Sequence, residues 1–292
     1  MRIAVCVKQV LDTTLPLRVV DGVVRQVARR RIAHPGPADC AALELALALR
    51  ARLGGEVGAV SVGEAEAEEA LRFCLARGVD RALQVRRPER LDPVGAARAV
   101  FGVLAAAPVD LVMAGAASGD GCSGLFPAVL AQELDWPLVT AVAAATPQNT
   151  DRRQPGRWLT VERRLEGGDR EVVRCPLPAV LATDGAGVEV PYLALRAIRR
   201  AARMPIEQGA GRDSDAAGGE LVAIETPRPR PKRAGGPDAR VSAMDRLSHL
   251  LSGGLQPKRS GEFVEGSPAE VAAEIVRFLE QRGFIRAGGN NG

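Results

Sequence analysis

Short apolar runs and longer stretches of helical periodicity alternate along the first part of the chain. Ile3–Val7 predicts a buried strand, Ala38–Leu53 a helix rich in alanine and leucine, and Val57–Val62 a second strand ending at Gly63. Glu64–Arg77 predicts a helix: Glu64, Glu66, Glu68 and Glu69 crowd its positive end, and Gly78 stops it. Ala82–Val85 reads as a third strand, Pro93–Ala106 as a helix opened by proline, and Val109–Ala114 as a fourth strand running into Gly115–Gly124, GAASGDGCSG. Apolar strands separated by helices belong to sheets covered on both faces. The expected class is therefore α/β, with a mainly parallel, doubly wound sheet.

The pattern then changes. Trp158–Leu165 and Glu171–Arg174 flank Glu166-Gly167-Gly168-Asp169, which predicts a β-hairpin. Leu177–Thr183 is another strand and Tyr192–Arg203 a basic, amphipathic helix. These elements complete an expected core over residues 1–206. From about Gln208 the composition turns to Gly, Pro, Asp and Arg, so residues 207–262 are expected to form a flexible arm, with one short helix at Ser242–Leu251. Residues 263–292 hold a stronger helix. Ser267-Pro268-Ala269-Glu270 is a capping box, Val271, Ile275, Phe278 and Leu279 share a face, and Gly283 ends it. Such a face needs a surface to lie on, either this chain's core or a partner.

Composition narrows the function classes. Aromatic residues make up 3% of the chain, so the core is expected to be aliphatic. Lysine occurs only at Lys8, Lys232 and Lys258, and the net charge of +4 comes from arginine, around Arg199–Arg203 and Arg228–Arg233. A nucleic-acid binder needs a stronger basic face with aromatics to stack on bases, and none is expected as a partner. Cys6, Cys40, Cys74, Cys122 and Cys175 are widely spaced, and with only His34 and His249 beside them no zinc or iron–sulfur ligand set assembles. Free thiols fit a reducing compartment. The opening apolar run is too short for a signal peptide or a membrane span, so the expected location is the cytoplasm, without membrane insertion.

No G-x-S-x-G elbow, P-loop or activated cysteine occurs. His34 and His249 read as solvated or structural, and Cys6 as a small core residue. The positive feature is strand, glycine-rich loop and helix from Val109 through Gly124. Such a loop offers backbone N–H groups to a phosphate, or its glycines simply permit a tight turn. Composition leaves both open. In an open parallel sheet the turns after Val7 and Val62 converge on the same place. There is no G-x-G-x-x-G after the first strand.

Val161–Ala182, VERRLEGGDREVVRCPLPAVLA, resembles the signature of the electron-transfer flavoprotein β family, at Val161, Arg163, Glu166, Gly167, Gly168, Glu171, Val173, Pro178, Val180, Leu181 and Ala182. The opening IAVCVKQVLD, with Lys8 and Asp12, the segment Ala59–Leu83 and Leu134-Asp135-Trp136-Pro137 are similar to that family as well. The resemblance implies an adenine-nucleotide-binding, flavodoxin-like topology. It also implies a heterodimer with an α subunit, FAD shared with α, and AMP or a second FAD in the β pocket. Electrons would pass between flavin dehydrogenases and a quinone-linked or other acceptor, with no bond made by this chain.

Carried over by position, the implied nucleotide contacts are Cys6, Gly36, Pro37, Ala38, Asp39, Val62, Gly115, Asp120, Gly121, Cys122, Ser123, Gly124, Leu125 and Phe126. The implied partner-docking segment is Glu189–Ile198, with Glu189, Pro191, Tyr192 and Ile198 around an anchoring Leu195; without the resemblance, that leucine reads as a core residue. Gly36-Pro37-Ala38 stands where the family has Asn-Pro-Phe, Gly115-Ala116-Ala117 where it has Gly-Lys-Gln, and Cys122 and Leu125 replace an aspartate and a glutamine. Each lost side-chain hydrogen bond costs on the order of 1 kcal/mol, whereas backbone donors around Gly121–Gly124 are expected to persist. A bifurcating member with two flavins and a nucleotide-binding scaffold without redox duty are the two alternatives.

Overall fold

The opening apolar run forms β1 (Arg2–Cys6), whose side chains alternate between two cores, Ile3 and Val5 in one and Ala4 and Cys6 in the other. The computed structural model describes residues 1–10, 17–20, 23–26, 34–86, 92–107, 109–147, 158–209, 242–251 and 263–285. They fall into two compact units, Met1–Thr226 and Pro227–Gly292.

After β1, the short strands β2 (Gln9–Val10), β3 (Leu17–Val20), β4 (Val23–Gln26) and β5 (His34–Pro35) make two small antiparallel ladders, β2 with β5 and β3 with β4. The β3–β4 ladder is absent from the sequence-based expectation, although Asp21-Gly22 between valine pairs is an ordinary hairpin signal.

Next come α1 (Pro37–Leu53), β6 (Glu56–Gly63), α2 (Ala67–Arg77), β7 (Arg81–Arg86), α3 (Pro93–Leu104), β8 (Leu111–Gly115) and α4 (Leu125–Leu134). The second of these helices starts at Ala67 rather than Glu64, because Glu64–Glu66 make a lead-in of i→i+3 bonds: the amides of Ala67, Glu68 and Glu69 donate to Glu64, Ala65 and Glu66. Gly78 closes it in the left-handed conformation at φ 105°. Asp92 caps α3 by accepting the Gly95 amide at 2.7 Å.

The remaining strands are β9 (Leu138–Pro147), β10 (Trp158–Arg164), β11 (Arg170–Pro176) and β12 (Ala179–Thr183), followed by α5 (Leu195–Ala201) and β13 (Glu207–Gly209). β10 and β11 form the expected hairpin. β9 was not expected from its alanine-rich sequence, and its register slips beside Ala141, which has φ 55°. The basic helix begins only at Leu195, with Tyr192 ahead of it in irregular backbone. β13 lies in the segment read from sequence as the start of the arm, and pairs with β7. The rest of that arm, apart from residues 242–251, lies outside the described residues.

Among the described residues, nine strands make one sheet, in the order β11-β10-β9-β12-β8-β1-β6-β7-β13, parallel from β9 to β13 and antiparallel at β10 and β11. One core packs Leu43, Ala46 and Leu49 of α1 and Leu71 and Leu75 of α2 on the sheet; the other packs Val100 and Leu104 of α3 and Leu130 of α4 on its other side. The doubly wound α/β class is what forms. The second unit contains α6 (Ala243–Leu251) and α7 (Pro268–Gln281), the latter with its capping box between Ser267 and Glu270 complete.

Candidate functional site

Chain direction through the sheet defines the site. From β1 the chain adds β6 and then β7 on one side, and returns through α3 to place β8 on the other side of β1. Loops leaving β1 and β8 therefore diverge, and the crevice between their carboxyl ends is where such sheets take ligands.

Asp39, in the first turn of α1, reaches into that point and is buried. One carboxylate oxygen accepts the Lys8 amide at 2.8 Å and the other accepts the Gly115 amide at 2.9 Å. A single side chain thus ties α1 to the ends of both strands. Burial pushes its carboxyl up to about 6, against the opposing pull of those two amides and of the Lys8 charge. Glycine is required at 115, since a Cβ there would stand 2.4 Å from the Asp39 oxygen and 2.9 Å from the Ala38 Cβ. Gly185, after β12, has φ 81° and approaches the Ala38 backbone closely enough that a Cβ would lie 3.0 Å from it.

The loop after β8 turns back toward β1. The Lys8 ammonium contacts Asp120 at 2.6 Å and Ser118 Oγ at 3.4 Å. Burial acts to raise the Asp120 carboxyl, but the Lys8 hydrogen bond and charge, with Ser118 and the Gly121 amide, outweigh it and hold the group below the ordinary carboxylate range. Gly36 faces the Gly119 amide and Val10 across the crevice.

The structure brings Gly36, Ala38, Asp39, Gly115, Asp120 and Gly121 together, with Lys8, Ser118 and Gly119 added. Ser118 and Gly119 were not singled out from sequence, and Lys8 was noted only as part of the family resemblance around the first strand, not as a nucleotide contact. Other expected contacts are placed differently. The Cys6 thiol, Val62 and Phe126 pack with the core under α3 and α4, and burial pushes the Cys6 thiol strongly up. Pro37, Cys122 and Ser123 are exposed, and Leu125 is half exposed.

Of the backbone donors expected to persist around Gly121–Gly124, two are engaged within the loop itself. The Gly121 amide donates to Ser118 Oγ at 3.3 Å and the Cys122 amide to the Ser118 carbonyl at 3.0 Å, because the loop closes on itself as a turn. Among the described residues, those of Ser123 and Gly124 have no protein acceptor. Gly124 leads into α4 at φ 66°.

A second surface lies between β12 and β13. Glu189, Pro191, Tyr192, Leu195 and Ile198 are all exposed, with Tyr192 fully so and Leu195 at 62%. Leu195 and Met204 line a groove of about 670 Å³ with Arg196, Arg199, Arg200 and Arg203, separate from the crevice. No helix among the described residues is long and apolar enough to cross a membrane.

Comparison with known proteins bears on the family. Residues 24–213 match the model of a family described as "Electron transfer flavoprotein domain". The electron transfer flavoprotein subunit beta of Bacillus subtilis is 28% identical, over 98% of this chain and 100% of that protein. Its counterpart in Homo sapiens is 34% identical over 71% of this chain and 80% of the relative. Protein FixA of Azotobacter vinelandii is 32% identical over 80% of this chain and 87% of its own length. This chain belongs to the electron transfer flavoprotein family, on its beta-subunit branch.

Proposed function

We propose that this chain pairs with an α subunit as the β half of an electron-transfer flavoprotein, holding AMP at the β1–β8 crevice and completing an FAD site shared with α. The observation that carries the reading is the Asp39 brace at the switch point, which fixes the Lys8 and Gly115 backbones where a nucleotide's phosphate would approach. The donor set suits an anion: the Ser118 hydroxyl and the two amides of Ser123 and Gly124 lie along the loop after β8, and the Lys8 ammonium reaches that loop from the end of β1. Asp120 opposes an anion, but its charge is matched by Lys8.

When bound, the flavin carries the electrons. This chain's residues bind, orient and exclude water, and none is assigned a bond-making step. Flavin dehydrogenases deliver electrons and a quinone-linked or other acceptor removes them, with Leu195 and its exposed neighbours meeting these proteins. We place the pair in the cytoplasm, a reducing compartment that suits the five free thiols.

Coexpression with an α subunit, acid precipitation and chromatography of the released nucleotides test this directly. One FAD and one AMP per heterodimer is the expected count. Two FAD would instead assign the bifurcating type. Nucleotide without flavin, whichever α is supplied, would leave a scaffold with no redox role.

A further inference from the structure

The exposed segment ahead of β13 has little structure of its own to hold it. Residues 184–194 are irregular and α5 spans only seven residues, too short to be stable alone. Yet Ala201 is buried in the core, and Tyr192, Leu195 and Ile198 project from a defined backbone.

Two arginines of α2 account for this. Arg77 donates through Nη1 to the Pro191 carbonyl at 2.7 Å, while its Nε, at 2.7 Å, and Nη2 are held by Glu44 of α1. Arg72 donates through Nη1 to the Ala201 carbonyl at 2.7 Å and to the Met204 carbonyl, and is itself fixed by Glu68, at 2.7 Å from its Nη2. One helix therefore grips the segment at both ends, and Tyr192, Leu195 and Ile198 lie between the grips. Arg72 also meets carbonyls at the end of α5, where the helical hydrogen-bond pattern runs out; the Ala201 carbonyl takes the Met204 amide, at 3.1 Å, as well.

Burial makes the second arginine informative. The Arg77 side chain is 8% exposed and that of Glu44 18%. A buried ion pair seldom stabilises a fold more than apolar residues of the same volume would. Its guanidinium fork, however, can bind a carboxylate and a carbonyl together, which neither an apolar side chain nor a lysine can do in the same geometry.

We infer that Arg72 and Arg77 are positioning residues that hold residues 191–204 in a fixed frame, so that a partner flavoprotein meets Leu195 already ordered. This rests on the docking role proposed above. Ordering before contact removes part of the entropic cost of association.

The test uses the flavin-loaded heterodimer with Arg77→Lys, Arg77→Met and Arg72→Met. Trypsin cuts after arginine, so cleavage at Arg196, Arg199, Arg200 and Arg203 reports the order of the segment directly. Arg77→Lys is expected to raise that cleavage rate and the KM for a flavin dehydrogenase selected for reducing the wild-type heterodimer, each by about fivefold or more. Flavin content, the global denaturation midpoint and kcat should stay near wild type. Unchanged cleavage, cleavage that rises only as far as global stability falls, or faster cleavage with an unchanged KM would each overturn the inference. Leu195→Ala run in parallel separates the two readings. No change in KM there removes the docking role itself, whereas a change there with none in Arg77→Lys removes only the clamp.

Discussion

Asp39 and Gly115 stand 76 residues apart in the chain and meet through one buried hydrogen bond of 2.9 Å, the glycine amide donating to the carboxylate. The other carboxylate oxygen takes the Lys8 amide, so the geometry of the crevice depends on a single side chain.

Replacing Gly115 tests how tight that junction is. A Cβ would stand 2.4 Å from the Asp39 oxygen, and overpacking of this kind costs about 1–3 kcal/mol. Gly115→Ala is expected to lower the denaturant midpoint accordingly and to reduce the AMP recovered after acid precipitation. Wild-type values for both would mean that α1 yields freely.

The pH dependence of stability isolates Asp39. Folding lifts its carboxyl to about 6, so between about pH 4 and 6 the folded chain keeps a proton that the unfolded chain has released. The stability this group contributes is complete below about pH 4 and is lost as pH rises through 6, about 3 kcal/mol in all. Asp39→Asn lacks this term. Its stability relative to wild type, from urea unfolding at several pH values, should improve by up to about 3 kcal/mol between pH 4 and 7. A difference that stays flat with pH contradicts the assignment.

Lys8 separates binding from folding. Its pair with Asp120 is half exposed on the lysine side, and such pairs contribute about 0–1 kcal/mol. Lys8→Met should therefore barely move the unfolding midpoint. It should weaken AMP by about tenfold or more, because an unmatched carboxylate would then face the phosphate. Adding Asp120→Asn should recover part of the affinity in a titration. Full affinity in the single variant argues against a phosphate at this loop.

Leu195→Ala addresses the second surface. Burying a leucine is worth about 1.5–3 kcal/mol, so the variant should raise the KM for a donor dehydrogenase by about tenfold while flavin content is unchanged. Stopped-flow reduction at several donor concentrations would show it. Identical kinetics would move docking elsewhere.

Much of this molecule was legible along the chain. The strands around Val5, Val60 and Val112 are continuous apolar runs, and Gly78 and the Ser267–Glu270 box end or begin helices by local rules. β9 was not legible, since Leu138–Pro147 is dominated by alanine, which favours neither strand pairing nor exposure; its partners β10 and β12 decide its state. Cys6, Val62 and Phe126 were expected in the site by position, and the sequence did not show that their side chains pack with the core. Strand alternation and helix phase set that direction.

Residue order alone determined the doubly wound class and the family signature at Val161–Ala182, because both reside in local periodicity and in spacings of a few residues. Only the folded chain decided that Asp39 spends both oxygens on backbone, that Lys8 answers Asp120, and that Arg72 and Arg77 grip a segment more than a hundred residues onward. Those contacts exist because β8 returns to the flank of β1 and α2 packs beneath α5, and such proximity is a property of the sheet's winding order rather than of any stretch of sequence.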